Sequence, residues 1–245
     1  MHPLIPLQHV AEAVSTSETL RRLAETGHGE TALMADRQTA GRGQRGRVWS
    51  STEGNLHLSV LLRPAAPFMP GHWSLLAAVA LAAALRPLLP WPARLKWPND
   101  VLLDGGKLAG ILLEAGTLPG GGSLPGAGNQ PAWLVIGFGV NLVQAPVGLD
   151  RAVACLADHG PVPPAAAFAR LLLEQLADWR QRYEREGFMP IRAAWLADGP
   201  HAGDAIAIGS GDTRLEGRFH GIGPEGGLLL EQDGAIRTIM SGEVL

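Results

Sequence analysis

Gln38 to Ser51 reads QTAGRGQRGRVWSS. Ala40, Gly41, Gly43 and Gly46 let the backbone bend, Arg42, Arg45 and Arg47 carry charges that cannot be titrated away, and the segment contains no acid to neutralise them. A glycine-rich loop with fixed cations is suited to close on an anion, because guanidinium groups make charge-assisted hydrogen bonds to phosphate or carboxylate. Gly41 to Gly46 formally fits G-x-G-x-x-G, the phosphate turn of dinucleotide folds, which needs a strand before it and an apolar helix opening at the third glycine. A short strand, Thr31 to Ala35, is expected upstream, but Arg47-Val48-Trp49-Ser50-Ser51 lacks helical spacing of apolar residues. A flap that orders over phosphate fits the segment better.

The 245 residues carry a formal net charge of −3 and a single cysteine, Cys155. That length supports one large domain, or one plus a small appendage. The charge balance gives no support for nucleic acid or an anionic membrane surface as partner. One cysteine excludes an internal disulfide framework and a cysteine-cluster metal site. We expect a cytoplasmic protein without a membrane span: MHPLIPLQHVAEAV lacks the features of a signal peptide, and the apolar stretch Trp73 to Leu85 falls short of the ~20 residues that cross a bilayer.

Ser15-Thr16-Ser17-Glu18 precedes a helix over Glu18 to Glu25 that stops at Gly27. One hydroxyl suffices for the N-cap, so the others are available to a small polar ligand. Thr31 to Asp36 and Asn55 to Leu62 are expected strands; in the second, Leu56, Leu58 and Val60 alternate with Asn55, His57 and Ser59, which predicts one wetter face. A helix from Gly71 to Leu89 then crosses the sheet. In Arg94 to Leu103, RLKWPNDVLL, Pro98 cannot donate to a ladder, so strand, interruption and strand present Lys96, Asn99 and Asp100 around the break. Asp104-Gly105-Gly106 is a tight hairpin signal, leading into a strand over Lys107 to Glu114. Gly110 in that strand, and Gly137 and Gly139 in the expected strand Ala132 to Asn141, leave room for a close approach. They converge if the two strands are neighbours. Gly116 to Gln130 reads as a floppy connection without chemistry. Pro163 to Gly187 is an amphipathic helix with Phe168, Leu172, Leu176 and Trp179 inward. Short strands at Ala205 to Ile208, Leu215 to Phe219, Gly227 to Glu231 and Ile236 to Met240 predict a small β barrel.

No Ser-His-Asp set, no phosphate-binding G-x-x-x-x-G-K-[ST] and no acid–base pair of carboxylates stands out. What stands out is positive: Arg42, Arg45, Arg47, Lys96 and Lys107 on or beside glycine-rich backbone. Such groups neutralise charge developing on phosphate and hold reactants in line. Lys107, at the start of a buried strand, is costly unless an anion meets it. Asn99 and Asp100 are suited either to a Mg²⁺ bridging nucleotide phosphates or simply to the turn after Pro98.

Taken in order, GRGQRGRVW (41–49), KWPND (96–100), KLAGILLE (107–114) and IGFGVNL (136–142) resemble the motif series of biotin protein ligases. The resemblance runs from about Val14 to Asn141, and the small terminal barrel resembles that family's C-terminal domain. It implies an α+β fold: a mixed-sheet catalytic domain of the biotin/lipoate ligase type over residues 1–198, then an SH3-like β barrel over 199–245. It implies activation of biotin with ATP and Mg²⁺ to biotinyl-5′-AMP, then transfer of biotin to one lysine of the biotin carboxyl carrier protein of acetyl-CoA carboxylase. By resemblance, Ser15, Thr16, Ser17 and Gln38 bind biotin, and Arg42, Gly43 and Gln44 belong to the loop that closes over it. Lys107 meets the biotin carboxylate and the α-phosphate, with Gly110 and Ile111 as backbone and wall. Arg45, Arg47, Trp49, Lys96, Asn99 and Asn141 fall on the nucleotide side and Asp100 on the metal; Lys107, Arg42 and Arg45 are the catalytic cations.

Two positions depart from the family's pattern, Gln44 where many members write arginine and Ser17 where they write asparagine. Members that also act as repressors carry an N-terminal DNA-binding domain, for which the fourteen residues before Ser15 leave no room, so no specific DNA binding is expected, from a monomer or a homodimer. A lipoate or octanoate ligase shares the implied fold, and a non-catalytic biotin- or nucleotide-binding module is the reading from another class. The arginine loop and KWPND favour biotin.

Overall fold

The computed structural model describes residues 5–65, 67–118, 131–210 and 213–245, so the glycine-rich connection expected at 116–130 lies outside the described residues from 119 onward. Seven strands make the first sheet: β1 (Leu7–Ala13), β2 (Thr31–Gln38), β3 (Leu56–Leu62), β4 (Arg94–Lys96), β5 (Asp100–Leu103), β6 (Gly106–Gly116) and β7 (Trp133–Val140). Their order is β1-β2-β3-β7-β6-β5-β4, with β1 and β2 parallel and the other neighbours antiparallel. The sheet is mixed, as expected. The β1 strand gave no sequence signal because its middle five residues are exposed; a main-chain ladder, not an apolar face, holds it to β2.

Because side chains alternate across a strand, β3 and β7 serve two cores at once. Leu56, Leu58, Val60, Leu134, Ile136 and Phe138 join α2 (Pro70–Leu85) and α3 (Ala165–Glu186) in the main core. On the other face Leu33, Leu61, Trp133 and Val135 pack with Leu20 and Ala24 of α1 (Thr16–Glu25). The expected wetter face of β3 is a correction: all seven residues are buried. Polar His57 and Ser59 are enclosed because α1 and the residues after the arginine loop cover that side, and Thr52 O sits 3.3 Å from His57 Nε2. Helix α2 is apolar all round, as a helix sandwiched between sheet and α3 must be. With a short extension it reaches Leu88, 19 residues in all, and an 18-residue window of it has mean hydropathy 1.3 and is 67% buried.

A further helix, α4 (Met189–Asp198), missed in the sequence, leads to a five-stranded antiparallel sheet: β8 (Ala205–Ser210), β9 (Thr213–Ile222), β10 (Leu228–Gln232), β11 (Ala235–Ile239) and β12 (Glu243–Val244). Its order is β11-β10-β9-β8-β12. Specific polar contacts lock it to the first unit. Trp97 Nε1 donates to Gly226 O at 3.2 Å, and buried His72, stacked 3.8 Å from Phe188, lies 2.7 Å from Pro224 O. A carbonyl only accepts, so His72 Nε2 carries the proton and Nδ1 accepts from Tyr183 Oη at 2.9 Å. Burial pushes the pKa of His72 below the usual histidine value.

Candidate active site

The flap of residues 41–49 folds back on itself. Arg42 bridges Val48, Gly43 N donates to Arg47 O at 2.7 Å, Trp49 N donates to Gly41 O at 2.9 Å, and the turn sits at Gln44–Gly46 with Arg45 at φ 56°. It closes on a floor built by register. Gly110 of β6 lies opposite Gly139 of β7, which lies opposite His57 of β3; one step along, Leu112, Gly137 and Ser59 form the next row. The absent side chains matter because a Cβ on Gly139 would fall 2.3 Å from Trp49 Cε2, and one on Gly110 would fall 3.1 Å from Trp49 Cζ3 and Lys107 Nζ. The Trp49 indole therefore lies directly on two glycines.

A cleft of about 610 Å³ opens under the flap. One end is a buried hydroxyl cluster. Ser15 caps α1, its Oγ accepting from Glu18 N at 3.4 Å, which leaves its neighbours for other work. Thr16 donates its N–H to Gln38 Oε1 at 2.8 Å and lies 2.7 Å from Ser59 Oγ, and Ser17 Oγ lies 2.9 Å from the same hydroxyl. Gly137 is bare beneath them; a Cβ there would fall 2.6 Å from Ser17 Oγ. Elsewhere apolar side chains such as Leu58, Leu112 and Phe138 line it, and its charged groups are all cationic: Arg42, Arg47, Lys107 and Arg151.

Three of these cations already have carboxylates, each from a different element. Arg42 pairs with Glu18 of α1 at 3.0 Å, Arg47 with Glu243 of β12 at 2.7 Å, and Lys107 with Asp100 of β5 at 2.5 Å. The last pair is nearly enclosed, with side-chain exposures of 12% and 7%. Burial pushes the Lys107 ammonium below the usual lysine range while Asp100 opposes the shift. Lys107 also lies 5.9 Å from the Trp49 ring, within cation–π reach. Burial alone would raise the Glu243 carboxyl, but Arg47, with Lys107 and Lys96, outweighs it and holds the pKa below the usual range.

Of the residues singled out in the sequence, Ser15, Thr16, Ser17, Gln38, Arg42, Gly43, Gln44, Arg47, Trp49, Asn99, Lys107, Gly110 and Ile111 line this one cleft. Four do not. Asp100 lies behind Lys107. Asn141 is buried, lines a cavity adjoining the cleft, and donates to Ala154 O at 3.0 Å and Lys107 O at 3.3 Å, holding the strand ends around Lys107. Arg45 lies across the flap, in a second groove with Trp97 and Leu113. Lys96 is half-buried on β4 and acts on the site through the field it exerts on Glu243. Asp100 is engaged by Lys107, and among the described residues no group of three His, Cys, Asp or Glu side chains is placed to hold a metal.

Arg151 and Ser59 went unread. Arg151 sits in an irregular segment that runs beside β6, where Lys107 N donates to Ala152 O and Ala154 N to Lys107 O, both at 3.0 Å. That segment, with Val48, Trp49, Lys107 and Leu149, lines an adjoining cavity of about 400 Å³. Trp49, Lys107 and Arg151 border both spaces. The arrangement suits two ligands meeting at a buried ammonium, one carrying hydrogen-bonding groups at one end, with negative charge where they meet.

The family model for the biotin/lipoate A/B protein ligases matches residues 12–117, and that for the biotin protein ligase C-terminal domain matches 201–245. The chain is 36% identical over 244 residues to a biotin–[acetyl-CoA-carboxylase] ligase of Paracoccus denitrificans, covering 96% of this chain and 98% of that protein. It is 35% identical over 233 residues to the bifunctional ligase/repressor BirA of Escherichia coli, covering 92% of this chain and 68% of the other. A solved biotin protein ligase from Aquifex aeolicus in complex with biotin and ATP superposes with a TM-score of 0.82 at 27% identity, covering 98% and 97% of the two chains.

Proposed function

The chain belongs to the biotin protein ligase family, and from that premise we propose how its own residues activate biotin with ATP and pass it to a carrier lysine. The observation that carries the reading is Lys107, a buried ammonium shared by two adjoining spaces under an arginine flap. We read residues 1–198 as the catalytic unit and 199–245 as its C-terminal partner, a division supported by the end of α4 at Asp198 and the start of β8 at Ala205.

The hydroxyl cluster of Ser15, Thr16, Ser17, Gln38 and Ser59 takes the cyclic urea of biotin, whose N–H and C=O groups need partners of both kinds. Leu112 and the glycine floor take the apolar body. The carboxylate then lies at Lys107, and the nucleotide enters the adjoining cavity beside Trp49, Val48 and Arg151. A carboxylate oxygen attacks the α-phosphorus, the bond from that phosphorus to the pyrophosphate oxygen breaks, and pyrophosphate leaves. Lys107, Arg42, Arg47 and Arg151 stabilise the charge on the phosphoryl oxygens through fixed cations in a water-poor space. Mg²⁺ would be held by triphosphate oxygens and waters with one or two protein oxygens such as those of Asp100 and Asn99, and would neutralise charge on the phosphates. The flap keeps water from the mixed anhydride until an amine replaces AMP.

The test is exchange of labelled pyrophosphate into ATP, followed by labelling of a biotin carboxyl carrier domain. Biotin-dependent exchange with labelling is expected. Exchange that responds to lipoate and not to biotin, or no exchange at all, would sink the assignment.

A further inference from the structure

We propose that His57 is the residue that seats the flap: as the flap closes over substrate, its Nδ1 accepts the indole N–H of Trp49 and ties that ring to β3. This rests on the ligase reading above and adds to it a positioning residue that does not itself line the substrate cleft.

Among the described residues, four buried side-chain nitrogens have no hydrogen-bond partner: Trp49 Nε1, His57 Nδ1, Trp73 Nε1 and Trp195 Nε1. The three indole groups can only donate. His57, 1% exposed, is the acceptor of the set. Its Nε2 lies 3.3 Å from Thr52 O, and a carbonyl only accepts, so the ring's proton is on Nε2 and Nδ1 keeps its lone pair. Trp73 and Trp195 belong to the main core. Trp49 does not.

Register brings this donor and this acceptor to one place. His57 of β3 pairs with Gly139 of β7, and directly opposed residues share a face, with Cβ positions about 4.5–5.5 Å apart. Trp49 Nε1 lies 2.7 Å from where a Cβ on Gly139 would stand. The bare glycine thus lets the indole N–H settle beside the neighbouring imidazole. The two nitrogens are complementary and not yet joined. Each is costly while buried and unmet, and one hydrogen bond, direct or through a single water, satisfies both. Because Nε2 already holds the carbonyl of Thr52, three residues past Trp49, the ring then grips the flap's trailing end at two points.

The second grip exists only while the imidazole is neutral. A proton on Nδ1 turns the acceptor into a donor facing another donor. Burial pushes the His57 pKa below the usual histidine value, against the opposing pull of Thr52 O and of Asp36 on β2. Asp36 has His9 at 2.6 Å, Lys107 stands beyond the indole at 5.9 Å from its ring, Glu53 in the turn after Thr52 is exposed, and β7 contributes Gly139. The flap is therefore seated at neutral pH and released as pH falls through the lowered value.

The experiment uses the whole chain with His57→Asn, His57→Gln, Trp49→Phe and the double variant Trp49→Phe/His57→Gln. Asparagine puts an amide oxygen where Nδ1 stands and gives up the bond to Thr52; glutamine reaches toward Thr52 and leaves the Nδ1 position without an acceptor. Both kcat and KM for biotin are read in pyrophosphate exchange from pH 5 to 8. We expect His57→Gln to lower kcat/KM at pH 8 by about 2- to 10-fold, the worth of one hydrogen bond, and Trp49→Phe to lower it at least as much. The double variant should be no worse than Trp49→Phe alone, since both changes remove the same bond. His57→Asn should stay within about twofold of the parent at pH 8 and hold its kcat/KM to a lower pH. Glutamine outperforming asparagine, additive losses in the double variant, or an acid fall identical in the parent and His57→Asn overturns the proposal. Failure of exchange in the parent chain would instead remove the ligase reading on which it depends.

Discussion

Gly139→Ala is the sharpest single test of the site, because it adds one methyl group at a place where the geometry is explicit. The new Cβ would fall 2.3 Å from Trp49 Cε2, 2.5 Å from Cζ2 and 2.7 Å from Nε1. Ordinary carbon contacts lie at about 3.5–4.0 Å, so the indole must retreat by over about 1 Å. Trp49 Nε1 is buried without a hydrogen-bond partner, so packing and the Lys107 ammonium over its face hold the ring, and its retreat lifts the flap. Overpacking of this kind costs about 1–3 kcal/mol, which at 1.36 kcal/mol per decade predicts about a 5- to 150-fold fall in kcat/KM for biotin in pyrophosphate exchange. The methyl group points into the cleft and not into either core, so Tm should stay within about 3 °C of the parent. Gly110→Ala, where the nearest atoms are 3.1 Å away and one is the mobile end of Lys107, should lose less. Parent-like exchange kinetics in Gly139→Ala would refute the claim that a flap seated on bare backbone closes the site.

Four further outcomes follow from the same geometry. Lys107→Ala should abolish measurable exchange while the chain still folds, checked by circular dichroism, because the ammonium lines the cleft and is not part of either hydrophobic core. Burial depresses the Lys107 pKa and the charged form is the one that meets phosphate, so activity should fall on the alkaline side below the range of an ordinary exposed lysine; Lys107→Arg, if active, should lack that limb. His72 is held neutral with a depressed pKa, so its stabilising contribution is present above the unfolded value near 6.5 and is lost as pH falls through the lower folded value. Tm of the parent should accordingly drop more between pH 7 and 5 than that of His72→Gln. Glu243→Gln should strengthen nucleotide affinity by only about 2- to 5-fold at low salt, because the carboxylate that the phosphate must displace is gone, while Arg47 is 44% exposed and such pairs are worth at most about 1 kcal/mol.

The site was more legible than the periphery, for physical reasons. Flap, ammonium and bare strand positions need particular residue types, glycine and arginine above all, and those are visible in any sequence. Strand β1 and helix α4 were not, because β1 is an exposed edge held by main-chain bonds and α4 is ten residues with only Ile191 and Trp195 fully buried. The wet face expected for β3 failed because alternation reports which side is polar, not whether something covers it. Arg151 and the carboxylates of Glu18 and Glu243 escaped for a different reason: each reaches the cleft from an unrelated segment, and no local spacing encodes that meeting. The matched acids are the least local feature of the site, with Arg47 and Glu243 standing 196 residues apart.

Those matched acids change what the empty cleft does in a crowded cell. Four bare cations in a pocket would scavenge any small anion, and inorganic phosphate is abundant. With Glu18, Glu243 and Asp100 in place, an arriving anion must evict a resident before it gains a contact, so the pocket behaves as an ion exchanger with selective release. Only a ligand long enough to displace several residents together recovers the cost, and the pocket is thereby kept vacant for its own reactants.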